Sequence, residues 1–235
     1  MTTIRSFLFY IYMYGLMIIV GLGGIPLILG PRSWSRGLLK FYLKLLWPGL
    51  AVICGVKIEV RGRENLPSGG ALIASKHQSM WETLAFWGIL PDPAIILKKS
   101  LVYMPIFGWY AVKLGNISID RKGGSKTLRK MLKDAAQRGQ DGRQVLIFPE
   151  GTRVEPGDNP ELKPGIAGLY QSMAVPCVPV ALNSGVYLKN YCGLKKPGTI
   201  IVEILEPIEP GLDKATFMRT LHERISTASD RLLES

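Results

Sequence analysis

Ser75-Lys76-His77-Gln78-Ser79-Met80-Trp81-Glu82 stands between a short apolar run, Ala71 to Ala74, and a stretch from Thr83 to Leu90 with helical character. The run reads as a buried strand, so His77 belongs to the mouth of a strand-to-helix turn. Glu82, five positions on and one turn inside the helix, can return within reach of the imidazole. A histidine polarised by a carboxylate is a general base suited to a hydroxyl at neutral pH. Ser79-x-x-Glu82 is also a capping box, in which Glu82 only satisfies the helix N-terminus. Both readings stand at this point.

Outward from that turn, strands and helices alternate. Lys57-Ile58-Glu59-Val60-Arg61 reads as a half-exposed strand, followed by a turn-rich loop from Gly62 to Gly70. Further strands are expected at Ala94 to Leu97, Asn116 to Ile119, Val145 to Phe148, Val178 to Leu182 and Thr199 to Leu205. Helices are expected at Val102 to Leu114, with Pro105 in the first turn, at Ser125 to Arg138 and at Ile166 to Met173. The Ser125 helix sets Leu128, Met131, Leu132 and Ala135 on one face. A last helix carries Phe217, Leu221, Ile225, Ala228 and Leu232 on one stripe, with His222 at its surface edge. The alternation implies an α/β domain over residues 51–235, a central mixed β-sheet flanked by helices.

The N-terminal segment, residues 1–50, has another texture. Phe7 to Leu29 contains no charged residue and is long enough to span a bilayer, but Gly21, Gly23, Gly24 and Pro26 break it before its end. With only Arg5 as a charged leader and no small-x-small site before Pro31-Arg32, a cleaved signal peptide is not indicated. Beyond the break Arg32, Arg36, Lys40 and Lys44 recur every four residues beside Trp34, Leu38, Phe41, Leu45 and Trp47. Such a basic and aromatic helix suits a membrane interface. Two membrane-embedded or interfacial helices are therefore expected ahead of the α/β domain, with the basic stripe on the cytoplasmic face.

The net charge of +11 calls for an anionic partner: a phospholipid surface, a phosphorylated substrate or nucleic acid. No nucleic-acid motif is recognisable. Three widely spaced cysteines, Cys54, Cys177 and Cys192, and two histidines exclude a disulfide scaffold and a multi-histidine metal site and favour a reducing compartment. The segment from Lys98 to Lys133 holds nine Lys or Arg against one acid, Asp120. Within it Arg121 follows a strand end, free to hold an anion or to pair with Asp120. A second such turn, Phe148-Pro149-Glu150-Gly151-Thr152-Arg153, offers a glycine for close backbone approach, a hydroxyl and a guanidinium fork. It reads equally as a tight turn with a Glu-Arg pair. Val175-Pro176-Cys177-Val178-Pro179-Val180 is a rigid lead into a strand with no reactive group.

Taken in order, His77 to Glu82, Ile119-Asp120-Arg121, Phe148 to Arg153 and Val175 to Val180 resemble the four motif blocks of the glycerolipid acyltransferases, specifically the 1-acyl-sn-glycerol-3-phosphate acyltransferases. The similarity runs from about Val56 to about Ser184. It implies that His77 is the catalytic base and that Glu82 occupies the charge-relay position. It implies that Arg121, Glu150, Gly151, Thr152 and Arg153 belong to the blocks holding the acceptor's phosphate. Pro176 and Pro179 match the fourth block, tied to the acyl-donor side or to turn geometry. The family's first block most often ends in Asp, so Glu82 is a departure that holds the ring on a longer arm. The implied reaction transfers an acyl group from acyl-CoA or acyl carrier protein to the sn-2 hydroxyl of 1-acyl-sn-glycerol 3-phosphate. It needs no cofactor or metal, and it takes place at the cytoplasmic face of the inner membrane. Ser79 lacks the G-x-S-x-G elbow of a serine nucleophile. Glycerol 3-phosphate or a lyso-aminolipid are alternative acceptors. A non-catalytic basic protein binding lipid or nucleic acid is the alternative of another class.

Overall fold

The computed structural model describes residues 2–120, 123–188 and 195–234. Among these, seven strands form one sheet in the order β1-β7-β6-β2-β5-β3-β4. The strands are β1 (Val56–Arg61), β2 (Ala71–Ser75), β3 (Pro93–Lys98), β4 (Ile117–Ile119), β5 (Gln144–Ile147), β6 (Cys177–Leu182) and β7 (Gly198–Ile204). All neighbours pair in parallel except β6 with β7, so the sheet is mixed, as expected. β2 and β6 are buried at every position, which is why their sequences are unbroken apolar runs and not alternating ones.

Alternate residues of the central strands feed two layers. Ile73, Leu146 and Val180 face α1 (Thr2–Gly23), α3 (Arg32–Cys54) and α4 (Trp81–Ile89). Leu72, Ala74 and Val145 face α6 (Gly124–Gln140), α7 (Gly165–Met173) and α9 (Lys214–Arg231). The N-terminal helices are thus one cover of the sheet: Phe9, Met13, Leu43, Leu46 and Leu50 are buried in that layer. Their outer faces leave Phe7, Ile19, Leu29, Trp34 and Val52 exposed. The expected break falls at Gly24, between α1 and the short α2 (Ile25–Leu29), and α3 runs on to Cys54. Both α1 and α3 are long and apolar enough to cross a membrane.

Several sequence expectations need correction. The basic stripe of α3 is largely engaged by protein. Arg32 donates both Nη atoms to Asp92 at 2.7 and 2.6 Å, Arg36 lies 3.3 Å from the same carboxylate, and Lys40 donates to the Pro91 carbonyl. The acid in the turn before β3 captures the first two, while Lys40 and Lys44 both remain exposed. The helix expected from Val102 is α5 (Phe107–Lys113), preceded by a 3-10 turn over Lys99–Tyr103. Pro105 excludes the helical region for Met104, which is extended at φ −72°, ψ 128°, so the helix cannot begin before the proline. Leu128 is 39% exposed, because the buried stripe of α6 begins one turn later, at Met131 and Ala135. A short α8 (Ser184–Tyr187) was not legible. His222 is half-buried, its Nε2 at 3.2 Å from the Asn159 carbonyl. Cys54 and Cys177 are buried free thiols, while Arg121 and Cys192 lie outside the described residues.

Candidate active site

β6, β2 and β5 are adjacent and parallel, so their carboxyl ends share one rim of the sheet, where open α/β sheets bind ligands. β2 delivers His77, β5 delivers the turn Phe148 to Arg153, and β6 delivers Asn183 and Ser184. Three turns remote in sequence meet there.

His77 Nδ1 lies 2.8 Å from Glu82 Oε2, and the two side chains are 13% and 0% exposed. The carboxylate accepts, so Nδ1 carries the proton and Nε2 keeps its lone pair for an incoming group. The ring stacks on Phe148, centroids 4.0 Å apart and planes 17° from parallel. Glu82 is itself held from several sides. It accepts from the Ser79 N–H at 2.9 Å, the Gln78 N–H at 3.3 Å, the Ser79 hydroxyl at 2.7 Å and the Ser184 hydroxyl. The capping box and the histidine contact are therefore one arrangement: Glu82 caps the start of α4 and orients His77 at once. The turn is tied down further by Gly185 N–H to Gln78 Oε1 at 2.9 Å and by Val154 N–H to the His77 carbonyl at 2.8 Å.

The residues of the third block take up different places. Gly151 has φ +72°, which lets the chain reverse after β5 beside Lys163. Thr152 is exposed on the rim and Arg153 is half-buried, next to Val154, which bonds the histidine turn. Glu150 instead points inward, 3% exposed, with Oε1 3.9 Å from Lys76 Nζ. Pro179 is a buried strand residue paired with Ala74, three positions before His77. Its carbonyl accepts from Leu205 N–H, and the half-buried Pro176 accepts from Leu72 N–H. Both prolines fix the β6 backbone against its neighbours.

Sequence reasoning missed Ser184, Phe148 as a ring partner, and Lys76. Lys76 reads as a solvated charge next to a histidine, yet it is 2% exposed and donates to the Asp158 carbonyl at 2.5 Å and Asn159 Oδ1 at 2.7 Å. Burial holds its ammonium below the ordinary lysine range. Burial pushes the Glu150 carboxyl up to about 7, although the Lys76 charge pulls the other way.

That elevation has a sign that can be measured. A carboxyl raised in the folded state keeps its proton there, so its contribution to stability is complete below 4.5 and is lost as the pH rises to 7. Glutamine mimics the protonated form and carries no such dependence. Glu150→Gln is expected to gain stability relative to the parent across that window, by about 3 kcal/mol. Urea unfolding at both ends of the window checks it; a relative loss toward high pH contradicts the assignment.

A further cavity adjoins the residues that follow Glu82 in α4. Thr83 and Leu84 of α4, Met17 and Val20 of α1, and Ile106 and Tyr110 near α5 line it, and it is overwhelmingly apolar. No group of three or more metal-binding side chains occurs among the described residues.

A 1-acyl-sn-glycerol-3-phosphate acyltransferase of Pseudomonas aeruginosa is 39% identical over 153 residues, covering 65% of this chain and 60% of that protein. The protein of the same name from Saccharomyces cerevisiae is 29% identical, covering 68% of this chain and 54% of its own length. The alignments thus span little more than half of these relatives. The crystal structure of the 1-acyl-sn-glycerophosphate (LPA) acyltransferase from Thermotoga maritima superposes with a TM-score of 0.83 over 100% of this chain and 99% of that one, at 22% identity. The family model described as Acyltransferase matches residues 57–183, from β1 to the residue before Ser184, and the chain belongs to that acyltransferase family.

Proposed function

We propose that this protein transfers an acyl group from an acyl thioester to the sn-2 hydroxyl of 1-acyl-sn-glycerol 3-phosphate, giving phosphatidate. The observation that carries the reading is the His77–Glu82 contact at the shared rim, with Nε2 left to meet a substrate hydroxyl. The names of the similar proteins supply the acceptor.

The hydroxyl donates to His77 Nε2 and gives up its proton as its oxygen attacks the thioester carbonyl. The imidazolium so formed is stabilised by the Glu82 carboxylate, which also keeps the ring from turning. Collapse of the tetrahedral intermediate expels the thiolate, which takes the proton back from Nε2. One ester bond forms, one thioester bond breaks, and no acyl-enzyme is needed. A leaving thiol of pKa ~8.5 asks for little acid help. The apolar cavity past Thr83 and Leu84 suits a hydrocarbon chain brought to the same rim.

Arg153 is assigned to the acceptor phosphate, because a guanidinium fork grips a phosphomonoester through two parallel hydrogen bonds. Arg153→Lys is expected to raise the KM for lysophosphatidate and Arg153→Ala to raise it further, with the donor KM nearly unmoved. Some loss of kcat accompanies this, since a loosely held phosphate misplaces the hydroxyl. Steady-state kinetics with each substrate varied in turn decide it. A risen donor KM with an unchanged acceptor KM puts Arg153 on the donor instead.

The exposed aliphatic and aromatic side chains of α1 and α3 support membrane association from one side, the inner faces of these helices being occupied by the sheet. The protein is expected to stay in the membrane pellet after a high-salt wash, since burial of apolar surface is insensitive to screening. Release by salt alone contradicts the reading.

A further inference from the structure

The segment from Lys98 to Lys113, which leads from the end of β3 toward β4, holds four large apolar side chains outward. Tyr103 is 74% exposed, Val112 60%, Met104 49% and Trp109 46%. This is not a loose loop. Gly108 lies so close under the 3-10 turn that a Cβ there would fall 2.0 Å from the Val102 carbonyl oxygen. Ile106 adopts φ +62°, a strained state for a β-branched residue, costing on the order of 1–3 kcal/mol. Contacts with the N-terminal helices sustain it: Ile106 packs on Gly21, and the Tyr110 hydroxyl donates to the Gly21 carbonyl at 2.9 Å. The backbone is thus forced into a shape that presents Tyr103, Met104, Trp109 and Val112 to the outside.

What covers them is indicated by their surroundings. α5 packs against α2 and α3, and the adjoining end of the helical hairpin exposes Ile18, Ile19, Leu22, Ile25 and Leu29. One apolar surface therefore continues from the hairpin onto the α/β domain. At its border stand exposed Lys98 and Lys99, the latter 4.0 Å from the equally exposed Asp120, with half-buried Lys113 at the end of α5. Tryptophan, tyrosine and methionine bordered by ammonium groups match the headgroup zone of an anionic bilayer, where ring bodies meet acyl chains and lysines meet phosphates. A water-soluble acidic partner accounts for the lysines but not for the apolar continuity with the hairpin.

We propose that Lys98 to Lys113 is a second membrane-docking surface, carried by the α/β domain, which seats Tyr103, Met104, Trp109 and Val112 in an anionic phospholipid bilayer. It rests on the membrane association proposed for α1 and α3, not on the reaction. The inner face of the same segment, through Ile106, Phe107 and Tyr110, walls the apolar cavity beside α4. Docking therefore brings lipid to the outer side of a wall whose inner side faces the candidate acyl site.

The test uses the full-length protein on vesicles of phosphatidylcholine with phosphatidylglycerol, with and without lipid brominated in its acyl chains. The Trp109 emission is taken as the difference between the parent and Trp109→Phe. It is expected to be lost in brominated vesicles and protected from aqueous iodide. The combined variant Tyr103→Ser, Met104→Ser, Val112→Ser is expected to bind these vesicles about tenfold more weakly. Its thermal unfolding should be unchanged, because the three side chains are exposed. Trp109 emission that resists brominated lipid but is quenched by iodide overturns the proposal and leaves the surface to an aqueous partner. Both readouts are independent of turnover, so a failure here leaves the assigned reaction standing, and the reverse.

Discussion

His77→Ala is expected to lower kcat by about 10²- to 10⁴-fold, the usual worth of a positioned base, while the protein still folds. The side chain contributes a stack on Phe148 and one contact with Glu82. Its removal leaves Glu82 with the Ser79 and Ser184 donors, so no buried carboxylate is stranded. Turnover and thermal unfolding measured on the same preparation separate the two effects. Comparable turnover in variant and parent would falsify the assignment of His77 as base.

The second large effect is expected at Glu82. In Glu82→Gln one oxygen can still face His77 Nδ1, while the amide nitrogen can turn to the Ser79 and Ser184 hydroxyls, which rotate to accept. The cap survives, and what is lost is the negative charge beside the imidazolium. About 10²-fold or more in kcat is expected to go, with little change in stability. Glu82→Ala adds a structural cost of a few kcal/mol, on the order of 1–3 for each buried donor left unsatisfied. Glu82→Asp keeps the charge on a shorter arm and should fall between parent and Gln in rate. Full activity of Glu82→Gln would return the residue to helix capping alone.

How far the sequence carried the structure depends on the range of each interaction. Ala71 to Ala74 announces a central strand because a strand buried on both faces needs an unbroken apolar run. His77 and Glu82 lie within one turn of each other, so local geometry was enough to pair them. Ser184 is 102 positions from Glu82, and only the adjacency of β6 and β2 makes it a neighbour. Lys76 deceived for a related reason: the carbonyl and amide that receive its ammonium belong to the Asp158–Asn159 loop, far along the chain. Asp92, which takes up Arg32 and Arg36 of the basic stripe of α3, is likewise invisible from within that helix. Pro105 carried a local signal with two outcomes, first turn of a helix or bar to one, and the extended Met104 shows the second.

The most direct test of the catalytic assignment follows the label. Purified full-length protein is offered one labelled acyl-CoA and one labelled acyl-carrier-protein donor, each with lysophosphatidate, glycerol 3-phosphate and a lyso-aminolipid in parallel. The expected product is phosphatidate with the labelled chain at sn-2, formed without a labelled protein intermediate and abolished in His77→Ala. Label found on another acceptor in preference to lysophosphatidate, or trapped covalently on the protein, would contradict a His77-based transfer to the sn-2 hydroxyl.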